Sequence, residues 1–237
     1  MENQEKREGF NFADGEVLLV DKPLRWTSFD VVNKIRGAIR PKKMKVGHGG
    51  TLDPLATGLL IICTGKFTKK IDNYQAEEKE YTGVVTLGAT TPSYDLETEI
   101  NEHFNLNGIT EEAIKAAAAS FVGEIEQTPP AHSAIKIDVE RVYEKARRGE
   151  EVALKKRKVT VSQFDVDAST FPEVKFIIRC SKGTYIRSLA HDLGAKLGCG
   201  GHLSALRRTR SGDFRVENAW QIDELVKAIK AANYENI

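Results

Sequence analysis

Val46–Cys63, VGHGGTLDPLATGLLIIC, joins a glycine-dense loop directly to an unbroken apolar run. The run LLIIC at 59–63 is too short for a typical helix and fits a strand covered on both faces. The loop before it is built for close approach. Gly47, Gly49 and Gly50 permit left-handed backbone angles, and Asp53 before Pro54 is pushed toward an extended conformation that presents its carboxylate. The same Asp-Pro pair also opens turns, so from the loop alone Asp53 reads equally as a turn residue or as a catalyst. It is not a nucleotide-phosphate loop, because position 60 is Leu and Phe67 follows Gly65-Lys66 where Ser or Thr would hold magnesium.

Working outward from this loop, helices and strands alternate without a repeat of fixed period, which predicts a mixed α+β chain. GEVLLV at 15–20 reads as a strand. Thr27 or Ser28 caps a helix with Val31, Val32, Ile35 and Ile39 inward, and Pro41 stops it. Residues 80–89 read as a strand and 110–121 as a helix capped by Thr110, with an acidic, loop-like stretch between them. After Thr128-Pro129-Pro130 the pattern predicts a short strand and a charged helix ending near Gly149. Strands are expected near 158–167 and 173–180, a helix over 184–197, a basic strand pair over 203–216 and a last helix over 221–231.

Charge is distributed unevenly along a chain whose net charge is only +1. Residues 33–46 carry Lys34, Arg36, Arg40, Lys42, Lys43 and Lys45 with no acid. Residues 93–126, by contrast, hold eight acids against Lys115. A basic face opposite an acidic one suits a polyanion such as nucleic acid, although any single run also reads as a solvated face. With 41% hydrophobic residues, no apolar stretch near the roughly 20 that span a bilayer, and a polar N-terminus, a membrane or secreted protein is not expected. The scattered Cys63, Cys180 and Cys199 make no disulfide framework, and Cys199 with His202 is half of a metal site. These features point to the cytosol.

A second cluster, CSKGTYIRSLAHDLG at 180–194, turns through Gly183 into a helix that begins near Tyr185 and Arg187. Arg187 is permanently charged and suited to a bidentate pair with a carboxylate such as Asp53, or else is a surface arginine that the helix dipole mildly disfavours. A third, HLSALRRTRSGDF at 202–214, offers a wall that can contact phosphate.

Taken together these segments resemble a known family. KVGHGGTLDPLATGLLIICTGKFTK is similar to the catalytic signature of the bacterial tRNA pseudouridine(55) synthases, the TruB family, and CSKGTYIRSLAHDLGAKLGCGGHLSALRRTRSGDF to their later motifs in the same order. VLLVDKPLRWTSFDVV, EYTGVVTLGATTPSYD and TPPAHSAIKIDVERVYEKARRG extend the likeness over about 15–220. The resemblance implies a pseudouridine-synthase fold, a mixed and mainly antiparallel central sheet flanked by helices, with an RNA-gripping insertion at about 125–150. It implies an arm at 1–14, a catalytic domain at 15–220, and a C-terminal helix and tail at 221–237 in place of a full C-terminal RNA-binding (PUA) domain.

The same resemblance implies the chemistry: uracil is detached from its ribose, turned and rejoined through C5, with Asp53 as the essential carboxylate. An ordinary aspartate, with a pKa of about 3.9, is ionised at neutral pH, and Arg187 reinforces that state. Tyr81 matches the tyrosine that stacks on the target base, Tyr185 and Leu206 positions that shape its pocket, and His48 a histidine beside the flipped nucleotide. The implied partner is the T arm of tRNA, bound by a monomer, with no metal or other cofactor. Gly49 stands where Thr is more usual and His132 where Tyr is usual. Two other readings compete: an RNA-binding or tRNA-folding protein on the same scaffold, and a glycoside hydrolase, for which no second acid with a partner role is apparent.

Overall fold

The computed structural model describes residues 9–12, 14–40, 43–130, 136–137, 140–141 and 155–235. The chain divides into two compact units, Met1–Tyr81 with Arg207–Ile237 and Thr82–Leu206. It is an α+β protein, as the sequence pattern predicts, with largely antiparallel strand pairing, as the family resemblance implies.

In the first unit β1 (Val17–Lys22) lies antiparallel to β3 (Ala56–Thr64), pairing Val17 with Cys63 and Lys22 with Gly58. On its other side β1 runs parallel to β14 (Trp220–Gln221), and β2 (Val46–His48) adds to the far end of β3. The LLIIC run is apolar throughout because both faces of β3 are covered. Leu60 and Ile62 face α1 (Ser28–Ala38) and α5 (Ile222–Glu235), packing with Val31, Val32, Ile35, Leu225 and Ile229. Leu59, Ile61 and Cys63 face the other way, toward Phe67, Ile71, Tyr74 and Phe214. Helix α1 starts where its cap predicts: Thr27 Oγ1 accepts from the Asp30 amide, and the Asp30 carboxylate accepts from the Thr27 amide. The expected stop at Pro41 lies outside the described residues; the helix ends at Ala38 with Ile39 extended.

Two features of this unit were not predicted. The glycine loop is shorter than expected, since Val46–His48 is already a strand and β3 begins at Ala56. A 3-10 turn at Gly65–Lys70 leads into α2 (Ile71–Ala76), two elements too short to show a period in sequence.

The second unit is built on β10 (Arg157–Thr170), antiparallel to both β7 (Gly123–Gln127) and β11 (Glu173–Cys180). Strand β11 alternates strictly, burying Val174, Phe176, Ile178 and Cys180 and exposing Ile177. Helix α3 (Glu111–Ala119), capped by Thr110, buries Ile114, Ala117 and Ala118. Helix α4 (Ile186–Leu197) buries Leu189, Ala190 and Leu193, and ends on Gly198 in the left-handed conformation. The acidic stretch between the predicted strand and helix contains the short ladder of β5 (Ala89–Thr90) with β6 (Glu102–His103). Strands β4 (Lys79–Leu87) and β12 (Gly201–Ser211) each have residues in both units. The basic pair is β12 with β13 (Phe214–Arg215). Short strands β8 (Lys136–Ile137) and β9 (Glu140–Arg141) pair with each other, while the charged helix expected up to Gly149, and His132, lie outside the described residues.

Candidate active site

Asp53 sits half-buried on a loop whose backbone is pinned from several sides. The Leu52 amide donates to Ser28 Oγ at 2.8 Å and that hydroxyl donates back to the Leu52 carbonyl at 3.1 Å. The Arg25 amide donates to the Pro54 carbonyl at 2.7 Å, and the Ala56 amide closes a turn on the Asp53 carbonyl at 3.0 Å. The main chain of Asp53 thus makes the turn that its Asp-Pro pair suggests.

Arg208 is the internal anchor of this loop. Its guanidinium, fully buried, donates from Nε to the Leu59 carbonyl at 2.7 Å and from Nη2 to the Gly50 carbonyl at 3.1 Å. Gly58 has to be glycine, because at φ +101° a Cβ would stand 2.3 Å from the Arg208 carbonyl oxygen. The basic cluster read as a phosphate wall is thus partly committed inward. Arg207 forks onto the Asp21 carboxylate at 3.0 and 2.7 Å, and Arg210 reaches Glu78 at 2.7 Å.

A buried cation, Lys22, interacts with Asp53. Lys22 has no exposed surface; its ammonium donates to the Pro23 and Trp26 carbonyls at 3.0 and 2.6 Å. Burial pushes it down to about 8, against which the Asp53 carboxylate acts. His48, half-buried at the end of β2, is held below the ordinary histidine range by burial and then by the Arg208 charge, so it is neutral at pH 7. Tyr81, on β4, is almost wholly buried.

The other predicted residues belong to the second unit. Tyr185 caps α4: its amide donates to Gln127 Oε1 at 2.7 Å, the Gln127 amide returns a bond to its carbonyl at 2.9 Å, and the Arg157 guanidinium lies 4.8 Å above its ring. Leu206 lies half-buried on β12. Arg187 is no surface arginine. It is 3% exposed, donates from Nη1 to the Ser93 carbonyl at 3.2 Å, and has Nε 3.7 Å from Asp95 Oδ2, a carboxylate only 4% exposed. Asp95 was missed in the sequence, where it stands first in a run of surface acids. The one available signal was its setting, ATTPSYD, in which small and turn-forming residues precede the acid.

Among the described residues no three His, Cys, Asp or Glu side chains come together as a metal site requires, and no helix is long and apolar enough to cross a membrane. Cys199 and His202 are used locally, the thiol near the Gly200 carbonyl and the imidazole Nδ1 3.1 Å from the Ala89 carbonyl. Asp53, held by its backbone near the buried Lys22 ammonium, is the candidate carboxylate of this site.

The family follows from comparison with known proteins. The model of the TruB family pseudouridylate synthase N-terminal domain matches residues 36–186, and that of the tRNA pseudouridylate synthase B C-terminal domain matches 187–236. The chain belongs to the TruB family of pseudouridylate synthases, as its motifs indicated. It is 54% identical over 216 residues to tRNA pseudouridine synthase B of Flavobacterium johnsoniae, covering 89% of this chain and 94% of that protein. With the protein of the same name from Phocaeicola vulgatus it is 49% identical over 231 residues, 96% and 98% of the two chains. Among solved structures it is similar to a chain of a Cbf5-Nop10-Gar1 complex, with a TM-score of 0.72 and 31% identity, covering 95% of this chain and 57% of that one. An H/ACA RNP bound to a substrate RNA containing 2'-deoxyuridine holds a chain with a TM-score of 0.69 and 28% identity. The protein spans little more than half the length of these solved chains, 57% and 56%.

Proposed function

We propose that this protein converts uridine to pseudouridine at position 55 in the T loop of tRNA. The target base is extruded from its stack, its N1–C1' bond breaks, and the ring is turned and rejoined through C5. The C5 hydrogen is lost as a proton and N1 gains one, so no other reactant is consumed. Asp53 is the carboxylate that captures or stabilises the electron-poor intermediate, and Arg187 is the cation of the catalytic set. Tyr81 stacks on the base, while Tyr185 and Leu206 shape its pocket. His48, being neutral, meets the RNA by stacking or hydrogen bonding instead of by charge. The enzyme works as a monomer in the cytoplasm, where tRNA is made, with the insertion at about 125–150 gripping the T arm.

The observation that supports this reading is the pinned loop, which holds the Asp53 backbone in place near the buried Lys22 ammonium. Tritium release from a tRNA transcript labelled at uridine C5 tests it, with RNA binding measured in parallel. Asp53→Asn is expected to abolish release while binding persists. Release that survives the substitution overturns the role of Asp53. Binding without release by the unaltered protein leaves only an RNA-binding scaffold. Sedimentation of the protein alone checks the monomer.

A further inference from the structure

Between Ser93 and Asp95, two residues that contact Arg187, stands Tyr94 in a conformation a tyrosine rarely adopts. Its φ is +65°, in the left-handed region, where a bulky side chain is strained and persists only when its surroundings impose it. They do so here. The Tyr94 amide donates to the Thr91 carbonyl at 3.1 Å, its own carbonyl accepts from the Leu203 amide at 2.9 Å, and its ring lies face to face on His191, centroids 3.9 Å apart and planes 14° apart. His191 is four residues beyond Arg187, one turn along the same side of α4. Loop residues 93, 94 and 95 thus meet helix residues 187 and 191 through a carbonyl–guanidinium bond, a ring stack and a carboxylate–guanidinium pair.

The stack is not a by-product of dense packing. Both rings line an open cavity of about 500 Å³ shared with Thr90, Asn101, Glu102 and Phe104, so on that side nothing presses them together. His191 holds the Tyr94 ring against α4, while the backbone of the turn is held besides by the Leu203 amide on the Tyr94 carbonyl and by Thr91 Oγ1, which donates to the Asp95 carbonyl at 2.6 Å. Reverting Tyr94 to an ordinary backbone angle re-aims both neighbours, the carbonyl of Ser93 and the carboxylate of Asp95, away from the guanidinium they hold.

We propose that Tyr94 and His191 are positioning residues for the reaction, their stack fixing the Ser93–Asp95 segment so that Arg187 is held in one geometry. This rests on the assignment of Arg187 to the chemistry. Neither ring is assigned any contact with the RNA; their effect passes through Arg187 and appears in the chemical step, not in binding.

The test is single-turnover tritium release under saturating enzyme, with tRNA affinity and thermal midpoint measured on the same samples, for Tyr94→Ala, Tyr94→Phe, His191→Ala, His191→Phe and Arg187→Lys. Displacing a reacting-site group by an ångström costs up to about a hundredfold, so each alanine variant is expected to slow release by about tenfold or more with affinity within about twofold. Each phenylalanine variant keeps a flat ring and is expected to restore most of the rate. The double alanine variant is expected to be no slower than the worse single one, since the two act as a unit. His191→Ala, on a helix surface bordering the cavity, serves if Tyr94→Ala fails to fold. Alanine variants at full rate beside a slowed Arg187→Lys overturn the proposal and leave the role of Arg187 standing. A full rate in Arg187→Lys overturns both. Loss of affinity in place of rate, or phenylalanine variants as slow as alanine, also overturns the stack as a positioning device.

Discussion

Arg208 keeps a full charge inside the first unit, where its guanidinium donates to the carbonyls of Leu59 on β3 and of Gly50 in the glycine loop. Arg208→Lys supplies a point charge that cannot span the same set, so a loss of about 2–4 kcal/mol in urea unfolding is expected, together with slower tritium release. The titrating groups give a second expectation. His48 and His191 are both held below the ordinary histidine value, first by burial. The unfolded chain therefore binds more protons as the pH falls below about 6.5, and stability is lost through the window down to the folded values; His48→Asn should flatten part of that slope. Lys22 works at the other end. Its folded value of about 8 lies below the ordinary lysine value, so below pH 8 both states are protonated and the burial penalty is at its full size. Stability should rise by roughly 3 kcal/mol between about pH 8 and 10.4, and Lys22→Met should lose the rise. At this scale Asp53, His48, Tyr81, Tyr185, Arg187 and Leu206 were nameable from motifs, but Asp95 was not. One buried acid in a run of exposed ones carries no mark of its burial.

Helix α1 and strand β3 were legible in sequence because their signals are local: a capping box at Thr27 and Asp30, and an apolar run bounded by glycine. Thr27→Ala removes one acceptor from the first turn and is expected to lower the urea midpoint by the equivalent of about 1 kcal/mol. Gly58→Ala should cost considerably more, roughly 3 kcal/mol or beyond, because it combines a left-handed φ with a clash against backbone that cannot move aside. The elements that escaped prediction, β2, the 3-10 turn, α2 and the β5–β6 ladder, span two to six residues. Such segments are too short to display a period, and each exists because a neighbour offers it a partner: β2 because β3 offers Ile62–Thr64 on the edge opposite β1, where His48, Gly47 and Val46 pair.

For the molecule as a whole, the basic runs predict how it meets RNA. If six phosphates are engaged, affinity for a tRNA transcript should fall by about a thousandfold between 50 and 200 mM salt, and Asp53→Asn should show the same slope because it alters chemistry and not contact. A flat salt response would transfer the burden of binding to uncharged contacts. The sequence by itself determined the α+β class, the family and the residues that carry the motifs, since periodicity, caps and motif order are properties of neighbours along the chain. Only the tertiary structure decided which charges are spent inside, Arg208 on the loop carbonyls, Lys22 on its own turn, and Asp95 facing Arg187. It also decided that Tyr94 takes a left-handed turn to lie on His191. Lys22 apart, whose partners are chain neighbours, these groups meet across about a hundred residues or more because burying a charge or straining a backbone is stable only where the fold brings compensation to the same place, and that coincidence in space leaves no trace in local sequence.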